Sequence, residues 1–156
     1  MSNVKRLTIF LGTDHGGYKL KEQLKHMLAK AKIPFIDIGA RRLDPSDDYP
    51  PIAARVARAV TRDQGNRGIL LCRSGVGVAV VANKVMGVRA TVAPDPWLAR
   101  RARRDDNINV LALPADRLTA AASWKIIRTF LATRFRNTTR DRRRIRQIKA
   151  IEHATR

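Results

Sequence analysis

A chain of 156 residues suits one packed domain that buries about two-thirds of its unfolded surface. The hydrophobic share of 44% excludes intrinsic disorder, and a single cysteine, Cys72, excludes an intrachain disulfide and suits a reducing compartment. Thirty-two basic and 13 acidic side chains leave a net charge of +19, with arginine outnumbering lysine 23 to 9. That excess favours anionic partners without choosing among phosphorylated metabolites, nucleic acid and acidic surfaces.

The first residues, Met1-Ser2-Asn3-Val4-Lys5-Arg6, carry no signal-peptide cleavage pattern, and no apolar stretch approaches the length of a membrane span. A cytoplasmic protein with no membrane partner is expected. Strand and helix signals then alternate. The apolar run 7–11 predicts a strand broken by Gly12, with the polar cluster Thr13-Asp14-His15-Gly16-Gly17 behind it. Leu20, Leu24, Met27, Leu28 and Ala31 recur at helical spacing, so 18–32 reads as an amphipathic helix. A second strand is expected at 35–38, stopped by Gly39, and the Asp/Pro-rich stretch 41–51 reads as a loop. A second helix over 52–62 places Ile52, Val56 and Val60 on one stripe.

The run 68–72 has the continuous apolar character of a fully buried strand, and Arg73-Ser74-Gly75-Val76-Gly77 turns from it into a helix at 78–84. A fourth strand at 88–92, an arginine-rich helix at 96–104, a fifth strand at 109–113 and a long helix at 119–135 follow. The tail from about 137 to 156 reads as basic and helical, and the whole chain, 1–156, as a single domain without internal repeats. Strands alternating with helices imply crossover connections and a five-stranded parallel sheet covered on both faces: an α/β, three-layer, Rossmann-like sandwich. Ligands in such folds sit outside the carboxyl ends of the strands. That rule selects 13–17, 72–77 and the loop at 105–109.

The segment 72–77 has the parts for removing a proton beside a carbonyl. Its glycines let backbone N–H groups approach a ligand, and a helix N-terminus favours negative charge and a thiolate. Cys72 then serves as base, Ser74 as a proton-handling partner and the loop amides as the hole for an enediolate oxygen. The alternative is that Cys72 is a small buried hydrophobe. Asp14 can accept from sugar hydroxyls and His15 can donate to a phosphate, while Asp14 can equally cap the first helix. Three scattered histidines and one cysteine match no ligand spacing, so no metal is expected, and no dinucleotide or Walker fingerprint is present. Arg140 and Arg144, four apart, share a helix face that can clamp one phosphate. The basic tail leaves nucleic acid open as a partner on charge alone, but it offers one aromatic, Phe135, and no binding motif; a solvated basic face is the default reading for most of its arginines.

Taken together, these motifs resemble the ribose-5-phosphate isomerase B and galactose-6-phosphate isomerase family. The resemblance rests on Gly12-Thr13-Asp14-His15-Gly16-Gly17, Asp48-Tyr49-Pro50, the stretch Cys72-Arg73-Ser74-Gly75-Val76-Gly77 with Ala82-Asn83-Lys84 and Val88-Arg89-Ala90, then Asn109-Val110-Leu111 and Ala150-Ile151-Glu152. It implies a cofactor-free and metal-free aldose–ketose isomerase acting on a phosphorylated sugar through a cis-enediol, in a homodimer or dimer of dimers with sites between subunits. Ribose 5-phosphate to ribulose 5-phosphate is the leading expectation. A six-carbon sugar phosphate, or a non-catalytic sugar-phosphate or nucleic-acid binding role, are the alternatives. By resemblance Cys72 is the base and Ser74 its helper, and amides of Arg73, Gly75, Val76 and Gly77 hold the enediolate. Asp14 and Tyr49 contact the sugar, and His15, Arg140 and Arg144, with Arg117 as an addition, bind phosphate. Asp105 and Asp106 stand where relatives with a cysteine base carry a ring-opening histidine and a hydroxyl-binding asparagine, and Arg73 where they carry glycine. Asp105 is therefore expected to take the ring-opening role as a base, because a carboxyl of ordinary pKa near ~3.9 is a poor proton donor at neutral pH.

Overall fold

The computed structural model describes residues 7–154; the stretch 1–6 read for a leader and the last two residues of the basic tail lie outside the described residues. Alternating burial organises the sheet. Ile9 and Leu11 of β1 (Ile9–Thr13), Ile69 and Leu71 of β3 (Arg67–Cys72) and Leu111 and Leu113 of β5 (Val110–Pro114) enter one core, while Leu70, Cys72, Val110 and Ala112 enter another. Two cores on opposite faces are what period-two side-chain alternation demands of strands covered on both sides. With β2 (Phe35–Asp37) and β4 (Ala90–Val92) the sheet has the order β2-β1-β3-β5-β4, all parallel.

The first core is closed by α1 (Tyr18–Lys30), α4 (Pro96–Asp106) and α5 (Ala120–Ala132), and the second by α2 (Tyr49–Thr61) and α3 (Val76–Ala82). The expected three-layer sandwich is therefore observed. The chain leaves β1 for the β2 edge and crosses back to β3, so β1 and β3 flank the point where strand order reverses, the ordinary ligand position in open α/β sheets.

Three local expectations are corrected. Gly12 lies inside β1 and does not end it: α2 crosses so closely that a Cβ there would lie 2.6 Å from Val56 Cγ2. The helix α2 starts at Tyr49, three residues early, because Pro50 and Pro51 fall in its first turn, where no amide donor is needed. The loop at 105–109 is not at the carboxyl edge. It closes α4 and leads into β5, and the amide of Gly68 donates to Asn109 O at 2.9 Å, so it borders the start of β3, not its tip. The carboxyl-edge loop of β5 is instead 115–119, which carries Arg117.

The basic tail forms α6 (Thr139–Ala154). Thr138 and Asp141 make a reciprocal cap: the Thr138 amide and hydroxyl donate to Asp141 Oδ2 at 3.2 and 2.7 Å, and the Asp141 amide donates to Thr138 Oγ1 at 3.2 Å. Arg136 donates to both oxygens of the fully buried Asp141 carboxylate at 2.8 and 2.7 Å. Further along, Glu152 Oε1 accepts from the Gly87 amide at 2.7 Å. These contacts lay α6 across the amino edge of the sheet.

Gly12→Ala is expected to lower unfolding stability by about 1–3 kcal/mol through overpacking against Val56, measurable by urea denaturation. Arg136 first, then Thr138, hold the Asp141 carboxyl well below the usual carboxylate range. A depressed folded pKa contributes stability above the unfolded value of ~3.9 that is lost as pH falls through the folded value. Asp141→Asn should lower Tm at neutral pH by several degrees and flatten the acid limb of the stability–pH curve.

Candidate active site

Cys72 ends β3, and the chain turns sharply behind it. Gly75 has φ 75°, a left-handed conformation, and a Cβ on it would lie 3.2 Å from Leu113 C and Pro114 N, so both backbone sterics and the neighbouring strand require glycine. The turn aims the Gly75 amide at Cys72 Sγ, 3.1 Å away. Residue 72 is only 6% exposed, packed on α2 and α3, whereas Arg73 and Ser74 stand in solvent. The thiol thus sits just beneath the surface, at the rim of the sheet and not at its centre. Ser74 Oγ accepts from the Val76 amide at 3.2 Å, and Val76 and Gly77 open α3, whose first-turn amides have no intrahelical acceptor.

The loop after β1 closes on this turn. Asp14, nearly buried, accepts from the Gly16 amide at 3.0 Å and caps the single 3-10 turn His15–Gly17. It does not cap α1 as the sequence suggests; the N-cap of α1 is Gly17, without a side-chain bond. A Cβ on Gly16 would lie 2.8 Å from Arg73 Cγ, which puts the His15 loop directly against the segment after Cys72. Tyr49 reaches in from the start of α2: its ring lies where a Gly77 Cβ would meet Cζ at 2.7 Å, so this glycine makes room for the tyrosine. The loop after β5 borders the same turn, since the Asp116 amide donates to Arg73 O at 3.1 Å and the Asp116 carboxylate pairs with Arg73 Nη1 at 3.8 Å.

One residue of this group, Asp47, was not legible in the sequence. Its Oδ1 accepts from the His15 amide and faces His15 Nδ1, both at 2.8 Å, while its Oδ2 is buried without a partner. The hydrogen bond to Asp47 raises the His15 pKa against partial desolvation, with Asp14 adding to the rise and Arg73 opposing it. With Nδ1 committed to Asp47, the imidazole presents Nε2 as a donor to an anion. Asp14, His15 and Asp47 also form a trio whose ligand atoms lie within 4.8 Å of one another, but the Nδ1–Oδ1 separation is that of a hydrogen bond, and a cation would have to replace its proton.

The remaining expected site residues lie elsewhere. Asp105 is bound by Arg104 at 2.8 Å, Arg101 at 3.2 Å and Arg136 at 3.6 Å, and the Arg104 hydrogen bond, with the charge of the other two, outweighs partial burial and holds its carboxyl below the usual range. Asp106 follows it, its carbonyl accepting from Arg89 Nε at 3.1 Å. Arg140 and Arg144 are exposed on α6. The six-residue strand β3 separates the two edges by about 16 Å of rise. One chain therefore gathers Asp14, His15, Tyr49, Cys72, Arg73, Ser74, Gly75, Val76, Gly77 and Arg117 at the carboxyl edge, and Asp105, Asp106, Arg140 and Arg144 at the amino edge.

A thiol at a tight glycine turn, beside a histidine held by a carboxylate, lies at the reversal point of a parallel α/β sheet, the place where enzymes of this architecture hold small ligands. The chain belongs to the family described as Ribose/Galactose Isomerase, whose pattern matches residues 9–148. Ribose-5-phosphate isomerase B of Mycobacterium tuberculosis is 34% identical over 139 residues, covering 89% of this chain and 86% of that one. The solved ribose-5-phosphate isomerase B of Clostridium thermocellum superposes with a TM-score of 0.91 at 35% identity, covering 96% of this chain and all of its own. That of Mycoplasma genitalium, with bound ribulose-5-phosphate, gives 0.89 at 37% identity, with 94% and 97% covered. The protein is thus an aldose–ketose isomerase by family, in agreement with the resemblance read from its motifs. Among the described residues no helix is long and apolar enough to cross a membrane.

Asp47→Asn removes the anionic acceptor of His15 Nδ1. The His15 titration followed by NMR should move down toward the ordinary histidine value near ~6.5. Because the folded pKa is raised, the pair's stabilising contribution is present below that unfolded value and lost as pH rises through the folded one. The stability difference between wild type and Asp47→Asn should therefore shrink at alkaline pH.

Proposed function

We propose that this protein interconverts ribose 5-phosphate and ribulose 5-phosphate at a site completed by two copies of the chain. The observation that carries the reading is the Cys72 sulfur at the tip of β3, holding the Gly75 amide at 3.1 Å beside the amide-rich start of α3. The Cys72 thiolate removes the proton from C2 of the open-chain aldose. Electrons flow into the C1 carbonyl, and the resulting enediolate oxygen is held by main-chain amides between Arg73 and Gly77. The same proton, or one exchanged with solvent, returns at C1 to give the ketose, with Ser74 carrying protons between the two oxygens. Asp14 and Tyr49 accept and donate to the sugar hydroxyls, and His15 Nε2 with Arg117 faces the phosphate.

The division of residues between two sheet edges supports a shared site. Arg140, Arg144, Asp105 and Asp106 of one copy would face Cys72 of the other. Exposed apolar Val76, Val80, Trp97 and Ile148, on elements beside the short edge strand β4 and on α6, are the kind of surface a homodimer covers. In that site Asp105, held ionised by its arginines, accepts a proton or hydrogen bond during ring opening and does not donate one. The related Mycoplasma genitalium enzyme binds ribulose-5-phosphate, which favours the five-carbon substrate.

Purified protein assayed on pentose and hexose phosphates should turn over ribose 5-phosphate best, and Cys72→Ala should lower kcat by about 10²–10⁴-fold. Turnover that survives this change sinks the assignment of the base. Arg140→Ala/Arg144→Ala should raise KM for the sugar phosphate. Refolding this variant with Cys72→Ala in equal amounts should restore activity to about a quarter of wild type, because half the dimers are mixed and each mixed dimer keeps one intact site. No recovery on mixing would place the whole site within one chain.

A further inference from the structure

Four cationic side chains line one cavity at the amino edge of the sheet, and among the described residues none of them has a carboxylate within ion-pair distance. The cavity, of about 530 Å³, lies between the end of α2, the start of β3 and α6, which lays Ile145 and Lys149 over it. Arg67, Arg89 and Arg103 form its walls with Lys149, and none of these four takes part in the ion pairs found among the described residues. The cavity's one carboxylate, Asp63, accepts from the Gly65 amide at 2.6 Å.

The arginines are held in place by neutral groups. Arg67 Nη1 donates to Gln64 O at 2.9 Å and Asn66 O at 2.7 Å, Arg89 Nε and Nη2 donate to Asn107 O at 3.0 and 2.9 Å, and Arg103 Nη1 donates to Ile108 O at 3.0 Å and to Asn107 Oδ1. One side of each fork is thereby anchored and its remaining N–H donors are left for something else. Burial, then the positive charge of Arg67 and Arg89, pushes the Arg103 guanidinium down to about 10; Arg67 and Arg89 are lowered as well, each by burial first, with the more distant carboxylates of Glu152 and Asp106 opposing the fall at Arg89 alone. Half-buried guanidinium groups that repel one another ordinarily carry a counter-charge.

We propose that this cavity binds a small polyanion of the phosphate or diphosphate class. Its volume lies in the range of small-molecule sites, and pre-anchored arginine forks suit tetrahedral oxyanions through paired N–H donors. It shares no residue with the substrate assignments above. A bound anion bridges β3, α4 and α6, and so fixes the helix that carries Arg140 and Arg144, which makes the cavity a place from which anion levels act on substrate affinity.

The test uses isothermal titration of the full chain with inorganic phosphate, pyrophosphate and ADP. It is carried out in an Arg140→Ala/Arg144→Ala background, so that the substrate's phosphate grip does not contribute. Binding of at least one of the three should persist in that background, strongest for the diphosphates if the cavity holds two phosphoryl groups. Lys149→Met, a change at an exposed position, and Arg67→Met should each weaken it by about tenfold or more, and Arg67→Lys by less. Circular dichroism melts of the same variants show whether they fold. Loss of all anion binding in the background alone, or affinity unchanged by Lys149→Met and Arg67→Met, overturns the proposal. Isomerase turnover of Lys149→Met, read separately, should stay within about twofold of wild type in anion-free buffer, so failure of this site and failure of the isomerase reading are told apart.

Discussion

Every strand of a parallel sheet delivers its tip to one edge and begins at the other, and in this chain that constraint divides the chemistry in two. The tips of β1 and β3 bring the Asp14–His15 loop against the turn after Cys72. The returning helices α4 and α6 carry Asp105, Arg140 and Arg144 to the opposite edge. No side-chain rearrangement within one chain spans about 16 Å of strand. The proposed sharing of one site by two copies rests on this separation.

Electrostatics at the two edges differ in kind. At the carboxyl edge charges pair across short loops, His15 with Asp47 and Arg73 with Asp116. At the amino edge arginines outnumber their partners: Arg101, Arg104 and Arg136 share Asp105, Arg136 also holds buried Asp141, and Arg67, Arg89 and Arg103 donate to carbonyl oxygens, with Glu152 and Asp106 acting on Arg89 from farther off. The net charge of +19 is thus concentrated in part where an anion's presence would relieve repulsion. Asp105 illustrates how this changes chemistry. An aspartate set among three arginines is a fixed anion and anchors α6 through Arg136, whatever it does for a sugar ring.

Much of the fold was legible because parallel strands buried on both faces leave continuous apolar runs, and 68–72 and 109–113 are such runs. Where the structure departs from the sequence expectation, the limits of an element are set by what it packs against or leads into. Gly12 has the residue type of a strand breaker, yet it continues β1 because α2 crosses it too closely for a side chain, and Pro50 and Pro51 begin a helix because its first turn needs no amide donor there. The loop 105–109 has the polar residues of a ligand loop, but it leads into the start of β5 and so lies at the amino edge.

The sequence by itself determined the strand–helix alternation, the cysteine followed by a glycine-rich turn, and the Asp-His and Asp-Tyr-Pro motifs on which the family resemblance rests, because these depend on residue identity over a few neighbouring positions. Only the tertiary structure decided that Asp47 holds His15, that Tyr49 fills the space left by Gly77, that three arginines and a lysine share one cavity, and which edge each candidate occupies. Those facts depend on the three-dimensional distance between residues tens of positions apart, a quantity that local periodicity and spacing do not contain.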